Sequence, residues 1–164
     1  MNRLNQKGLT LIELLVVVSI SAILLSVAYS IFFTMTKSSN QNIIQSQLRD
    51  ESVIISQQFD QAMLNIDEIT NFGPLSGNGM FTSFNAIDKT IDNSMTEHDT
   101  TYSIMINNGD LFINNKKINS DNYSLQNTTF KYVNQALQVY FEVDDLKNNQ
   151  KFKFFKLYNV KSGE

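Results

Sequence analysis

The segment Lys7–Leu15, with the sequence Lys-Gly-Leu-Thr-Leu-Ile-Glu-Leu-Leu, decides how the fold of this chain begins. A short basic leader meets a glycine, and an apolar run follows that carries one acid, Glu13, near its start. No charged residue occurs from Leu14 to Met35, and a bilayer core is crossed by roughly 20 apolar residues. An ionisable group in such a segment is costly, so Glu13 is a candidate functional residue that needs a partner.

The composition excludes several classes of function. The chain has 164 residues, enough for one domain besides a membrane segment, and its net charge of -3 gives no basic field to recruit nucleic acid. Without cysteine it has no disulfide, thiolate metal site or cysteine nucleophile. Because no phosphate-binding loop or nucleophile motif occurs either, we predict a protein that is not an enzyme and binds no cofactor or metal.

The N-terminal segment is better explained as a membrane anchor than as an ordinary secretory signal. A secretory signal has an apolar core of about 7–15 residues and then a cleavage site between small residues. The apolar core here is longer. Arg3 and Lys7 precede it, which predicts a cytoplasmic N-terminus by the positive-inside rule. The remainder of the chain is then expected outside the cytoplasm, beyond the cytoplasmic membrane.

A single long helix is predicted for residues 9–72. This stretch contains neither glycine nor proline, and Phe72-Gly73-Pro74 is a strong stop signal. Such a helix would be about 96 Å long, whereas a bilayer core is about 30 Å thick. We therefore expect a transmembrane part at 9–35, apolar on all sides, and an amphipathic part at 36–72. The polar patch at 36–42 favours a bend or a frayed turn.

The amphipathic part carries an apolar stripe that must be covered by the rest of the chain. Its members recur at helical spacing: Ile44, Leu48, Ile55, Phe59, Ala62, Ile66 and Ile69. Residues 73–101 show weak periodicity and are predicted to be a loop-rich connection. Residues 102–164 contain alternating segments separated by Asn-rich turns, which predict an antiparallel sheet. The predicted fold is α+β, with the long N-terminal helix packed against the C-terminal antiparallel β-sheet.

These N-terminal residues resemble the prepilin signature of the type IV pilins and pseudopilins. The resemblance rests on Gly8, the following Leu9-Thr10-Leu11-Ile12-Glu13, and the uninterrupted apolar helix. It implies that residues 1–8 are a leader, that a prepilin peptidase cuts between Gly8 and Leu9, and that Leu9 is then N-methylated. It also implies that Glu13 pairs with the N-terminal amine of an adjacent subunit during filament assembly. The implied partners are other pilins or pseudopilins and the filament assembly platform.

Two departures from the family pattern suggest a minor subunit. Leu9 stands where the family usually has phenylalanine, and Ser30 stands where many major pilins carry a helix-kinking proline. The layout is similar to that of minor pseudopilins of secretion and competence systems. The resemblance does not distinguish the system to which the subunit belongs: a competence or DNA-uptake apparatus, a type IV pilus or a type II secretion-like machine.

Several residues have a less specific explanation as well. Glu13 is also explained as an acid favoured by the helix dipole near a membrane interface. The acidic cluster of Asp88, Asp92, Glu97, His98 and Asp99 fits no standard cation loop and is better explained as solvated. The alternation of lysines and phenylalanines at 151–156 is compatible with single-stranded nucleic acid. A half-buried strand with a charged outer face is the better explanation, so we expect no direct nucleic-acid binding.

Two other functions compete with a filament subunit. One is a membrane-anchored extracellular binding or sensor domain that does not polymerise. The other is a secreted enzyme with an uncleaved anchor, for which the sequence offers no candidate catalytic residues. The chemical state of the mature N-terminus distinguishes these possibilities.

Overall fold

The computed structural model describes residues 10–91 and 96–162. The chain divides into two compact units, Met1–Ile43 and Ile44–Glu164. In the described residues, one helix, α1 (Leu11–Met63), precedes the strands. These are β1 (Glu68–Thr70), β2 (Met80–Phe81), β3 (Ser83–Ile91), β4 (Glu97–Asn107), β5 (Asp110–Ile113), β6 (Lys116–Lys117), β7 (Tyr123–Ser124), β8 (Thr129–Val133), β9 (Ala136–Asp145), β10 (Gln150–Asn159) and β11 (Lys161–Ser162).

The helix ends at Met63, earlier than the predicted end at Phe72. Its last turn tightens, because the Ile66 amide donates to the Met63 carbonyl at 3.4 Å. Ile69, which the helical stripe included, is instead buried in the strand β1. The physical reason is that isoleucine and threonine residues near the predicted end favour a strand that is half-buried in a sheet.

The helix continues through the polar patch at 36–42, so the alternative of a frayed turn is wrong, while the alternative of a bend stays a prediction. Around the start of the patch, hydroxyl groups bond back to the helix and do not displace its backbone hydrogen bonds. The Thr36 hydroxyl donates to the Phe32 carbonyl at 3.0 Å, and the Thr34 hydroxyl donates to the Ser30 carbonyl at 2.9 Å. Side-chain bonds of this type are compatible with a continuous helix.

Two sheets form in place of the single predicted sheet. The six-stranded sheet has the order β11-β1-β3-β4-β5-β6, and the five-stranded sheet has the order β10-β9-β8-β2 with β7 also paired to β9. The strands pair antiparallel, as predicted, except that β1 and β11 pair parallel. The predicted loop at 73–101 instead contains β2, β3 and the beginning of β4. Small and polar residues in β3 conceal its alternation, in which Phe84 and Ala86 are buried.

The Asn-rich turns were predicted correctly, and their backbone angles explain why asparagine stands there. Asn108 and Gly109 have φ of 51° and 85°, and Asn114 and Asn115 have φ of 51° and 62°. Positive φ at both central residues is typical of the tight turns that match the twist of antiparallel hairpins. Asparagine adopts these angles more readily than most side chains.

The predicted stripe on the helix forms the centre of the core in the second unit. Leu48, Ile55 and Phe59 are buried there, as predicted. The Phe59 ring lies 6.0 Å from that of Phe130 and 5.3 Å from that of Phe141, measured between ring centroids. Edge-on and offset aromatic pairs of this kind stabilise a core beyond their buried area. The helix is therefore held on the sheet by apolar packing, and the α+β prediction is confirmed.

A polar contact between helix and sheet lies beside this core. The Tyr158 hydroxyl donates to Asp60 Oδ1 at 2.5 Å, and Lys156 Nζ lies 2.8 Å from Asp60 Oδ2. Lys156 therefore faces the helix, so it does not belong to the charged outer face that the sequence predicted for all three lysines of β10. Desolvation raises the pKa of the Asp60 carboxyl, but the hydrogen bonds from Lys156 and Tyr158 outweigh this and lower the pKa overall.

We predict that Asp60→Asn lowers the free energy of unfolding by about 1 kcal/mol at pH 7, a modest value because the ion pair is partly exposed. Since the folded pKa of Asp60 is lowered, its contribution is present above the ordinary carboxyl pKa of 3.8 and is lost as the pH falls through the lower folded value. Urea unfolding of the detergent-solubilised native chain and variant, followed by circular dichroism at pH 7 and at pH 2, measures the difference in unfolding free energy.

Asp50→Asn is the matched control, because Asp50 is exposed on the same helix. It should leave the unfolding midpoint unchanged. A destabilisation by Asp60→Asn that stays constant down to pH 2 would show that charge on Asp60 is not its cause.

Candidate functional site

The helix begins with a reciprocal pair of side-chain and backbone bonds between Thr10 and Glu13. Thr10 precedes the first helical residue and occupies the N-cap position. Its backbone N–H donates to Glu13 Oε2 at 2.9 Å, and its hydroxyl donates to the same oxygen at 2.8 Å. The Glu13 N–H in turn donates to the Thr10 hydroxyl oxygen at 3.3 Å. This arrangement is a capping box, which satisfies backbone donors that a helix start leaves without partners.

The capping box gives Glu13 a local role that the sequence analysis missed. The signal was available, because a threonine followed three residues later by glutamate in front of an apolar run is typical of a capping box. The carboxylate also lies at the positive end of the helix dipole, as the less specific explanation of Glu13 proposed. Both hydrogen bonds to the carboxylate end on Oε2, so the capping box engages one of its two oxygens.

The apolar surface of the first helical unit is exposed on every side. Each residue from Thr10 to Ile43 is exposed, and the exposed side chains include Leu14, Val18, Leu25 and Phe32. A helix that is apolar all round requires lipid or other helices as its surroundings. By length and composition, α1 is suited to cross a membrane. The hydroxyls of Ser19 and Ser26 donate to carbonyls of their own turns, so these polar atoms are compatible with an apolar environment.

An aromatic cluster marks the far end of the apolar span. Tyr29, Phe32 and Phe33 are exposed there, and Lys37 follows. From Thr10 to Phe33 the helix measures about 35 Å at about 1.5 Å per residue, close to the roughly 30 Å of a bilayer core. Tyrosine is enriched at membrane interfaces, so Tyr29 and the two rings beside it are the expected position of one boundary. This cluster was not among the predicted site residues.

A family model described as the prokaryotic N-terminal methylation motif matches residues 3–29. The N-terminal segment of the chain therefore carries a prepilin-type methylation motif, as the resemblance to type IV pilins predicted. Comparison with curated proteins gave no match, and comparison with solved structures gave none either. The motif implies processing by a prepilin peptidase and assembly with other pilins, and together with the apolar helix it supports a membrane-anchored protein.

The predicted site residues fall on both sides of Thr10, the first residue that the structure describes. Glu13 lies in the described helix. Gly8 and Leu9 at the expected cleavage site, and Arg3 and Lys7 in the leader, lie outside the described residues, although the matched motif includes all of them. The geometry therefore bears on the assembly segment and not on the cleavage site itself.

The described members of the acidic cluster lie along a hairpin. Asp88 is on β3, and Glu97, His98 and Asp99 are on β4, while Asp92 lies outside the described residues. No group of three or more His, Cys, Asp or Glu side chains suited to a metal ion occurs in the described parts of the chain. Lys89 pairs with Glu68, which raises the pKa of the Lys89 amine, and Asp99 and Glu97 add to this effect.

Two lysines of β10 are held by carboxylates of β9. Lys151 Nζ lies 2.9 Å from Glu142 Oε1 and 3.3 Å from Asp144 Oδ1, and Lys153 Nζ lies 2.7 Å from Glu142 Oε2. The hydrogen bonds from Lys153 and Lys151 lower the pKa of Glu142 to about 2. These pairs agree with a half-buried strand that has a charged outer face and weaken the case for a nucleic-acid surface at this strand.

We predict that Thr10→Val frays the first turn of α1. Valine has the shape of threonine but cannot accept from the Glu13 amide or donate to its carboxylate, and loss of an N-cap costs about 1 kcal/mol. Amide hydrogen exchange of Glu13, measured by NMR in detergent micelles, should therefore become about fivefold faster. Thr10→Ser keeps the hydroxyl and should exchange at the original rate. Equal protection in the valine and threonine forms would show that the capping box does not stabilise this turn.

Proposed function

We propose that this chain is a minor pilin or pseudopilin, a structural subunit of a type IV pilus-like filament. The observation that supports this most strongly is the combination of the matched N-terminal motif with a helix whose apolar surface is exposed on every side. A segment of this kind is stable in lipid before assembly and among other helices after assembly. The folded second unit then faces outward from the helical core of the filament.

In this proposal, the subunit matures by proteolytic processing of its N-terminus. A prepilin peptidase cleaves between Gly8 and Leu9, and the new amine of Leu9 is methylated. The positive leader, with Arg3 and Lys7, keeps the N-terminus on the cytoplasmic side, and the second unit lies outside the cytoplasm. Once cleavage is complete, Thr10 is the residue that follows the new N-terminus. The capping box then lies beside the mature amino group.

The proposed role of Glu13 is to set the register between subunits. A carboxylate in a membrane helix costs a few kcal/mol near the bilayer centre, and less near its edge. The capping box with Thr10 reduces this cost in a single subunit. In the filament, we assign to Glu13 an ion pair with the Leu9 amine of a neighbouring subunit. A buried pair of this kind contributes specificity of position more than net stability.

A minor subunit is favoured over a major one by features of the sequence. Leu9 departs from the phenylalanine that is usual at the first mature position, and Ser30 removes the proline-dependent kink. The helix passes through Ser30 without a break. The partners in this proposal are the prepilin peptidase, the other pilins and the assembly platform. The machine is a competence or DNA-uptake apparatus, a type IV pilus or a type II secretion-like system.

Mass spectrometry of the mature N-terminus tests the processing step. We expect a chain that begins with methylated Leu9. Gly8→Ala should still be processed, because the residue stays small, whereas Gly8→Leu should leave the leader attached. A native chain that begins at Met1 in cells with an active prepilin peptidase would favour a membrane-anchored binding or sensor domain that does not polymerise.

The assembly step is tested by Glu13→Val. We expect normal cleavage and membrane insertion, but at least about tenfold less of the variant in sheared filaments, because the partner's amine loses its carboxylate. Immunoblots of membrane and filament fractions give the ratio. Ser21→Ala, on the same apolar helix, should enter filaments normally. If the valine variant enters filaments as well as the native chain, Glu13 does not have the assigned role.

A further inference from the structure

The chain contains two asparagines that precede a glycine, in the pairs Asn78-Gly79 and Asn108-Gly109. Asparagine is a thermolabile residue, because the backbone nitrogen that follows it can attack its side-chain carbonyl carbon. Glycine allows this attack best, since without a Cβ it permits the close approach that the reaction needs. On sequence alone the two pairs are equally reactive, whereas the structure places them in different surroundings.

The pair Asn78-Gly79 lies in an exposed turn before β2. Residues 74–79 are all exposed, and apart from chain neighbours no atom lies within 4 Å of the position that a Cβ on Gly79 would take. The Asn78 amide has no hydrogen-bond partner among the described residues. The Gly79 N–H donates to the Ser76 carbonyl at 2.8 Å. Because hydrogen bonds in exposed turns open at a low cost in free energy, this nitrogen is intermittently free to react.

The pair Asn108-Gly109 forms the tight turn between β4 and β5, and Gly109 is buried. The Gly109 carbonyl accepts a hydrogen bond at 2.7 Å from the amide of Leu125, which is itself fully buried. The side chain of Ser124 occupies the space that a Cβ on Gly109 would need. Gly109 is therefore held by a segment outside the hairpin as well as by the hairpin itself.

The reaction requires the peptide group between asparagine and glycine to move. This planar group must rotate as a unit until the glycine nitrogen faces Cγ, the carbonyl carbon of the asparagine side chain. At Asn78 the rotation breaks the hydrogen bond to Ser76 in an exposed turn. At Asn108 it would pull Gly109 away from Leu125 and disturb the end of the β4–β5 ladder. The free energy of the required opening is therefore lower at Asn78.

We propose that Asn78 is a site of spontaneous deamidation and that the fold protects Asn108 from the same reaction. The Gly79 nitrogen loses its proton to hydroxide and forms a bond to Asn78 Cγ. The bond from Cγ to Nδ2 then breaks, and the departing nitrogen takes a proton from water and leaves as ammonia. Water opens the resulting cyclic imide: attack at the side-chain carbonyl yields aspartate, and attack at the main-chain carbonyl yields isoaspartate. No atom is oxidised or reduced, and water is the only co-reactant.

Both products alter a turn that is uncharged in the native chain. No charged residue occurs from Ile69 to Ile87, so either product introduces a single isolated carboxylate. Isoaspartate also adds one methylene group to the main chain directly before β2, where the Ser76 N–H donates to the Met80 carbonyl at 2.7 Å. We expect the isoaspartate form to lose this hydrogen bond. The reaction takes place in the second unit and does not depend on filament assembly.

The test uses the full chain in detergent micelles, incubated in warm, mildly alkaline buffer and sampled over time. Trypsin places the two pairs on different peptides, 50–89 and 90–116, and the mass of a peptide rises when an amide becomes a carboxylate. Fragment spectra then locate the changed residue. We expect conversion at Asn78 to be at least about tenfold faster than at Asn108, because opening free energies differ by this much or more between exposed turns and packed ladders.

The chain unfolded in urea is the matched control, since it has the same sequence without the turn and the hairpin. There the two sites should convert at similar rates. In the folded chain, Asn78→Gln should remove the fast conversion, because the longer glutamine side chain closes a ring less readily, and Asn108→Gln should leave it unchanged. Circular dichroism should show that both variants keep the native fold. A methyltransferase specific for isoaspartate should label the incubated native chain at position 78.

The proposal is wrong if the folded chain converts both asparagines at the same rate or converts Asn108 faster. It is equally wrong if Asn78 stays intact over the time in which urea-unfolded chain is converted, or if Asn78→Gln leaves the fast conversion in place. Aspartate as the sole product at position 78 would also overturn it, because direct hydrolysis of the amide forms no isoaspartate.

Discussion

The constraint that governs this molecule is that its first helical unit has no apolar partner within the described chain. Every residue from Thr10 to Ile43 is exposed, and most are aliphatic or aromatic up to Met35. Exposing such a surface to water is unfavourable by about 25 cal/mol for each Å² of apolar area. Lipid or other helices must therefore surround it, and the short list of possible functions follows from this requirement.

The same helix meets a different environment in its second part. There the apolar residues narrow to a stripe, and the sheets of the second unit cover Leu48, Ile55 and Phe59. Polar contacts accompany the packing, since Glu51 accepts a hydrogen bond from the Ser120 amide at 2.7 Å and Asp60 binds Lys156 and Tyr158. One continuous helix is thus stabilised by two environments, and the change from all-round to one-sided apolarity marks where the second begins.

The sequence predicted the elements whose signals are local and repetitive. These are the apolar helix, the stripe with Leu48 and Phe59, the alternating strand β9 and the left-handed Asn turns. The prediction failed at the end of the helix. Ile66 and Ile69 are three residues apart, which fits a helical stripe, but Ile66 lies in a turn and Ile69 in β1. The prediction also failed where distant segments meet, since the parallel pairing of β1 with β11 joins Glu68 to Lys161. Pairing between such distant segments leaves no periodic signal in either one.

The capping box changes what must be explained about Glu13. A lone carboxylate in an apolar helix is costly without a partner, and the resemblance to pilins implies one, the N-terminal amine of an adjacent subunit. In the structure, however, Thr10 already bonds one carboxylate oxygen through both its backbone N–H and its hydroxyl. The acid is therefore tolerable in a single subunit waiting in the membrane, and the proposed amine of a neighbour adds to these bonds. The Glu13 carboxylate has hydrogen-bond donors in the single subunit, and in our proposal it gains an ion pair in one register between subunits only. Such a carboxylate favours that register without promoting association in others.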